Sequence, residues 1–112
     1  MCGVTGFWEA PIRSEGELNK TARSMANSIV HRGPDDSGVW SDPQTGIALG
    51  HQRLSIIDLS PAGHQPMVSS SGRFVIVFNG EIYNHLELRA VLDNNSNPSS
   101  HCGVGGAIRK WR

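Results

Sequence analysis

The hydrophobic positions near the start of the chain predict a strand followed by an amphipathic helix. Residues 2–8 (CGVTGFW) form a short apolar stretch that is typical of a buried strand. Ser14 and Glu17 have the spacing of a capping box, so we predict that a helix begins directly after Ser14. The apolar positions that follow recur at helical spacing on one face: Leu18, Ala22, Met25 and Ile29.

The middle of the chain alternates loops with short strands. Residues 31–38 (HRGPDDSG) predict a loop, because Gly, Pro and the Asp pair all interrupt regular structure. Residues 39–40 and 46–58 (GIALGHQRLSIID) predict short strands, and we expect the second of them to end near Arg53. Residues 59–67 (LSPAGHQPM) predict another loop.

One more strand and one more helix are predicted before the composition of the chain changes. Residues 73–80 (RFVIVFNG) predict a strong strand that ends at an Asn-Gly pair. Residues 84–92 predict a second helix, with Asn84 as its N-cap and Glu87 three residues later. Residues 93–112 are polar at first and then lack either period, so we interpret them as a linker and tail. The pattern predicts an α/β (α+β) fold.

Composition narrows the class of protein. With 112 residues the chain is at most one ordinary domain. Ten basic and ten acidic residues give a formal net charge of +0, so no electrostatic footprint for nucleic acid or an anionic membrane is visible. No apolar run approaches the ~18 residues that a membrane span needs. We therefore expect a soluble, cytoplasmic protein whose two cysteines, Cys2 and Cys102, are free thiols.

Cys2 stands directly behind the initiator methionine, where it could act as a nucleophile. Removal of Met1 would leave a thiol beside a free α-amino group, and these groups titrate near ~8.5 and ~8 in model compounds. An attack on an amide also needs donors for the developing oxyanion, which Asn79 and Gly80 could supply as a side-chain amide and a backbone N–H. The alternative for Cys2 is a small apolar residue that starts a strand. The alternative for Asn79 and Gly80 is a type I′ hairpin turn.

Two charged residues could hold a substrate. Arg53 could clamp a carboxylate with two hydrogen bonds, or it could be an ordinary surface arginine. Glu81 could pair with an ammonium group or be solvated. The five histidines show no metal-ligand spacing, so we expect no metal site. A Cys-His hydrolase stays open, although no feature selects a particular histidine.

Four motifs together resemble one known family. MCGVTGF, HRGPDDSG, GHQRLSIIDLSPAGHQPM and FNGEIYNHLELR are similar to the start of the glutamine-hydrolysing asparagine synthetases. The similarity covers residues 1–92 and is specific to their N-terminal class II glutamine amidotransferase domain. The resemblance implies hydrolysis of glutamine to glutamate and ammonia, with amide transfer to aspartate in a synthetase partner domain.

The resemblance also implies residue roles. Cys2 would attack the side-chain amide carbon of glutamine, and Asn79 and Gly80 would form the oxyanion hole. Arg53 would grip the α-carboxylate, and Glu81 would help hold the α-amino group. The backbone after Arg53 would line the same pocket: Leu54, Ser55, Ile56 and Ile57. Residues 31–35 (HRGPD) would order the adjacent loop.

The fold and partners implied by the resemblance extend beyond this chain. The family domain is a four-layer αββα sandwich of the N-terminal-nucleophile hydrolases, of which residues 1–92 would form the first half. The glutaminase half needs no cofactor, and ATP and Mg would belong to the absent synthetase domain. We hypothesise that residues 93–112 arise from a frameshift. The alternatives are a non-catalytic glutamine-binding fragment and an amidotransferase domain that serves another acceptor.

Overall fold

A computed structural model describes residues 1–56 and 61–95, and these residues form a mixed α/β fold. The strands are β1 (Gly3–Trp8), β2 (Asp36–Asp42), β3 (Ile47–Arg53), β4 (Met67–Val68) and β5 (Val75–Ile76). The helices are α1 (Glu15–Ser28) and α2 (His85–Asn95). Short 3₁₀ turns span Val30–Arg32 and Pro61–Gly63. The fold class predicted from the sequence is confirmed at this level, and the four-layer sandwich stays a prediction.

The main sheet has three antiparallel strands in the order β1-β3-β2. Gly3 lies opposite Gln52 in β3, and Asp36 lies opposite Arg53, so β3 is the central strand. Since side chains alternate between the two faces of a strand, Gln52 faces one side of the sheet while His51 and Arg53 face the other. A separate two-stranded sheet pairs β4 with β5.

Helix α1 begins as the capping box predicts. The Ser14 backbone N–H donates to the Glu17 carboxylate over 2.9 Å, and the Ser14 hydroxyl accepts from the Glu17 N–H. The Ser14 hydroxyl also donates to the Glu17 carboxylate over 2.9 Å, and the two bonds from the Ser14 N–H and hydroxyl to this carboxylate lower the pKa of Glu17. The pair satisfies two backbone donors that a helix start otherwise leaves open.

The hydrophobic core lies between α1 and one face of the main sheet. Leu18, Ala22 and Ala48 are fully buried there, and Phe7 and Val39 pack against them. Small residues at the contact allow the helix to lie close to the strands. The predicted apolar face of α1 is confirmed at Leu18 and Ala22, while Met25 and Ile29 are half-buried.

A buried side chain reinforces the contact between α1 and the main sheet. The Gln52 side-chain amide donates to the Ala26 carbonyl over 3.1 Å, and Gln52 is 2% exposed. A polar group is costly to bury unless it is paired, so this hydrogen bond is a condition for placing glutamine at this position.

Two sequence predictions need correction. Strand β2 begins at Asp36, inside the predicted loop 31–38, because pairing with the end of β3 outweighs the turn tendency of residues 36–38. The strong strand predicted over residues 73–80 is reduced to Val75–Ile76. Its partner β4 is equally short, and the Phe78 N–H donates to the side chain of Gln65 over 2.6 Å.

Helix α2 begins at His85, directly after the predicted N-cap Asn84. The Asn84 backbone carbonyl accepts from the Leu88 N–H over 3.1 Å, which closes the first turn. The helix ends at Asn95, beyond the predicted end at residue 92. Of the predicted loop 59–67, residues 59–60 lie outside the described residues, Pro61–Gly63 forms a 3₁₀ turn, and Met67 belongs to β4. No helix among residues 1–56 and 61–95 is long and apolar enough to cross a membrane.

Close packing at Gly38 of β2 yields a stability prediction. A Cβ atom at Gly38 would collide with the Gln65 backbone carbonyl, whereas a Cβ at Gly16 in α1 would meet nothing within 4 Å. Overpacking costs typically about 1–3 kcal/mol, so we expect Gly38→Ala to lower the free energy of unfolding by about that amount. Gly16→Ala serves as the control and should be neutral or up to about 1 kcal/mol more stable. Urea denaturation measures both, and equal stability of the two variants would contradict the packing described here.

Candidate functional site

Cys2 lies at the end of the main sheet, beside the last residue of β3. It immediately precedes Gly3, whose partner across the ladder is Gln52, so the adjacent strand end is that of Arg53. The Leu54 N–H donates to the Cys2 sulfur over 3.3 Å, and the sulfur lies 3.8 Å from the Leu54 carbonyl. Cys2 is a half-buried free thiol, and Met1 before it is 74% exposed. The structure thus places the thiol against the segment that follows β3.

Arg53 is buried at this same end of the sheet. It is 8% exposed, and its guanidinium lies against Gly63, where any Cβ atom would overlap it. A buried arginine must be paired or hydrogen-bonded, because desolvating an unpaired charge is costly. The alternative of an ordinary surface arginine is therefore wrong, and the carboxylate clamp stays a prediction.

Asp35 fixes the backbone on either side of Leu54. Its N–H donates to the Arg53 carbonyl over 3.0 Å, and its carboxylate accepts from the Ser55 N–H over 2.7 Å. Gly33 lies so close to the backbone of β3 that a Cβ there would collide with Gln52 and Arg53. The loop that we interpret as supporting the pocket is therefore in direct contact with the residues predicted to bind substrate.

The other predicted pocket residues are less closely grouped. Leu54 and Ser55 are half-buried, Ile56 is 75% exposed, and Ile57 lies outside the described residues. The predicted oxyanion and amine-binding residues are exposed and lie between β5 and α2: Asn79, Gly80 and Glu81. Within residues 1–56 and 61–95, no hydrogen bond joins Cys2 to any of these three. Their catalytic and binding roles stay predictions.

His51 is a buried site residue that sequence reasoning did not single out. It is 1% exposed, and its ring faces a backbone group of Phe78. Burial lowers the pKa of His51, and a backbone group of Phe78 and the Asp36 carboxylate oppose that shift more weakly. The sequence did contain a signal that could have identified His51: in a strand, side chains two residues apart lie on the same face, which places His51 beside Arg53.

A second histidine, His64, lies within hydrogen-bonding distance of a carboxylate near this site. His64 Nδ1 lies 2.7 Å from the Asp36 carboxylate, and both side chains are partly exposed. Asp36 is opposite Arg53 in the sheet, so this pair borders the buried arginine. Among the described residues, no group of three or more His, Cys, Asp or Glu side chains is arranged to hold a metal ion.

The chain is similar to known proteins over most of its length. A family model described as the glutamine amidotransferase domain matches residues 1–103, and the chain therefore belongs to that family. Asparagine synthetase [glutamine-hydrolyzing] 1 of Bacillus subtilis is 42% identical over 83% of the chain. Asparagine synthetase B [glutamine-hydrolyzing] of Escherichia coli is 41% identical over 80% of the chain, and Amidase chry2 of Gibberella zeae is 39% identical over 82%.

The family resemblance predicted from the four motifs is confirmed by these matches. The chain spans 14%, 16% and 15% of the length of the Bacillus, Escherichia and Gibberella relatives, respectively. The matched region is thus a small part of each relative, and residues 1–103, which match the family model, contain all the site residues predicted above.

The buried His51 predicts how stability depends on pH. Its pKa in the folded protein lies below the ordinary histidine value of 6.5, so below pH 6.5 the unfolded chain takes up a proton that the folded chain does not. The free energy of unfolding should have its full value above pH 6.5. It should fall as the pH drops from 6.5 towards the pKa of His51 in the folded protein. The slope for one proton is at most about 1.4 kcal/mol per pH unit.

We expect His51→Gln to flatten this dependence between about pH 6.5 and 5. Urea midpoints measured across that range provide the test, with the exposed His31→Gln as the matched control. If wild type, His51→Gln and His31→Gln all show the same pH slope, His51 does not enter folding in its neutral form.

Proposed function

We propose that this chain is the glutamine-hydrolysing part of an amidotransferase and that Cys2 is its nucleophile. The observation that carries the proposal is the contact between the Cys2 sulfur and the Leu54 N–H, directly beside the buried Arg53. Membership of the glutamine amidotransferase domain family supports glutamine as the substrate.

The proposed reaction begins once Met1 is removed. The α-amino group of Cys2 takes the thiol proton, and the sulfur attacks the side-chain amide carbon of glutamine. The carbonyl oxygen becomes an oxyanion, to which the Asn79 side chain and the Gly80 N–H donate. Collapse returns the proton to the leaving nitrogen, releases ammonia and leaves a thioester. Water then hydrolyses the thioester to glutamate and regenerates the thiol. These steps use no metal or cofactor.

Arg53 and Glu81 supply substrate binding in this proposal. Arg53 grips the α-carboxylate of glutamine, since a guanidinium matches a carboxylate with two parallel hydrogen bonds. The Arg53 guanidinium lies against Gly63, so it is confined near the strand end that adjoins Cys2. Glu81 pairs with the α-ammonium group, while Leu54, Ser55, Ile56 and Ile57 line the pocket.

The fate of the ammonia follows from the wider family. The Bacillus and Escherichia relatives are named as glutamine-hydrolysing asparagine synthetases, so we propose transfer to aspartate in a synthetase partner domain that uses ATP and Mg. A different acceptor is the second candidate, because a relative that is not named an asparagine synthetase, Amidase chry2, is similar over 82% of the chain.

We also propose that α1 and the main sheet are the first two layers of a four-layer αββα sandwich. Val4 and Trp8 support this arrangement. The strand register puts them on the sheet face opposite α1, and they are 42% and 80% exposed. A second sheet packed on that face would bury them.

Thiol labelling tests the nucleophile. We expect intact-mass analysis of the protein produced in cells to show loss of Met1. We also expect 6-diazo-5-oxo-L-norleucine, a glutamine-like electrophile, to label Cys2 faster than Cys102. The reason is that Cys2, once Met1 is removed, carries an α-amine and lies beside the end of β3 at Arg53, the proposed substrate-binding arginine. Cys2→Ala is the control. Equal labelling of wild type and Cys2→Ala would leave a non-catalytic glutamine-binding fragment as the better interpretation.

A conservative substitution tests the carboxylate clamp. We expect Arg53→Lys to raise the KM for glutamine with little change in kcat, because a clamp on the α-carboxylate binds ground state and transition state alike. Loss of one charge-assisted hydrogen bond costs about 1.5–3 kcal/mol. Arg13→Lys, at an exposed arginine paired with Glu9, should leave glutaminase kinetics unchanged. A large fall in kcat at constant KM would contradict the binding role of Arg53.

A further inference from the structure

Residues 63–65, here called the 63–65 segment, are held on the sheet face that carries Arg53. Gly63 lies against the Arg53 guanidinium, and His64 Nδ1 lies 2.7 Å from the Asp36 carboxylate. The Gln65 carbonyl lies directly over Gly38, in the space that a Cβ would otherwise occupy. Three consecutive residues thus contact the end of β3 and the start of β2.

From this position the side chain of Gln65 reaches a different part of the site. Gln65 is 4% exposed, and its side-chain oxygen accepts from the Phe78 N–H over 2.6 Å. Phe78 immediately precedes Asn79 and Gly80 in the sequence. The glutamine therefore links the face that holds Arg53 to the segment that carries the proposed oxyanion donors.

We infer that Gln65 is a positioning residue for the oxyanion hole, an inference that rests on the proposed glutaminase function. Strand β5 ends at Ile76 and α2 begins at His85, so no strand ladder or helix fixes residues 77–84. A buried, short hydrogen bond to the Phe78 N–H sets the position from which Asn79 and Gly80 extend. Oxyanion donors act only at well-defined distances, and a displacement of about 1 Å can cost ~100-fold in rate.

The chain supplies a matched control for a merely structural role. Gln52 is also buried, at 2% exposure, and its side chain also bonds to a backbone group, the Ala26 carbonyl at 3.1 Å. It lies on the opposite face of the main sheet, against α1. Gln52→Met and Gln65→Met therefore remove comparable buried hydrogen bonds, but only the second variant disturbs the segment before Asn79.

Steady-state glutaminase kinetics of the full chain is the first measurement. We expect Gln65→Met to lower kcat by about 10- to 100-fold while KM for glutamine stays within about twofold, because the substrate-binding Arg53 is untouched. Gln65→Glu keeps an oxygen acceptor at the same reach and should recover most of the loss. Gln52→Met should keep wild-type kcat per folded molecule. Equal kcat for wild type and Gln65→Met, or equal losses in Gln65→Met and Gln52→Met, would overturn the inference.

Amide hydrogen exchange measured by NMR is the second measurement, and it does not depend on turnover. We expect the Phe78 amide to exchange faster in Gln65→Met than in wild type or Gln52→Met, with shifted Asn79 and Gly80 signals. Unchanged Phe78 exchange would overturn the inference even where glutamine is hydrolysed. Conversely, a wild-type chain without glutaminase activity would count against the proposed function while the exchange data still decide on positioning. Gln65→Asn, which keeps the amide but shortens its reach, replaces Gln65→Met where that variant does not fold.

Discussion

The hydrogen bonds that Asp35 makes to the end of β3 set the geometry of the site. In an extended chain, the backbone groups of successive residues point to opposite sides. On one side, the Asp35 N–H donates to the Arg53 carbonyl and the Asp35 carboxylate accepts from the Ser55 N–H. The N–H and carbonyl of Leu54 must then point to the other side, towards β1, where the Cys2 sulfur lies at 3.3 and 3.8 Å. One aspartate thus aligns Cys2, the proposed nucleophile, with the segment that we propose to bind substrate.

Side chains alternate along β3, so the residues of the core and those of the candidate site lie on opposite faces of the main sheet. Ala48 and Gln52 face α1, where they contribute to a small apolar core and a buried hydrogen bond. His51 and Arg53 face the opposite side, where the 63–65 segment lies against Arg53 and Gly38. A shift of the register by one residue would exchange these two sets, so the pairing of β3 specifies core and site together.

Local sequence signals predicted the elements with strong local determinants. The capping box of α1 and the start of α2 after Asn84 depend on neighbouring residues, and both were predicted correctly. The start of β2 at Asp36 and the brevity of β5 depend on partners distant in sequence, and both were missed. The same distinction applies to the candidate site. Motif resemblance indicated Cys2 and Arg53, whereas His51 and Gln65 could be recognised only from tertiary contacts. No local pattern states that a glutamine thirteen residues away will bond to the Phe78 N–H.

A polar site on one face of a small sheet has an energetic consequence. Hydrophobic burial is non-directional, so the apolar core against α1 can hold the sheet together without fixing the opposite face in detail. That face contains a buried arginine, a buried histidine and a buried glutamine, each of which is costly unless it is correctly surrounded. Directional contacts such as those of Asp35 and Gln65 must therefore fix the site. We therefore expect the loss of one hydrogen bond of Asp35 or Gln65 to displace the proposed catalytic groups even where the core on the other face keeps the chain folded.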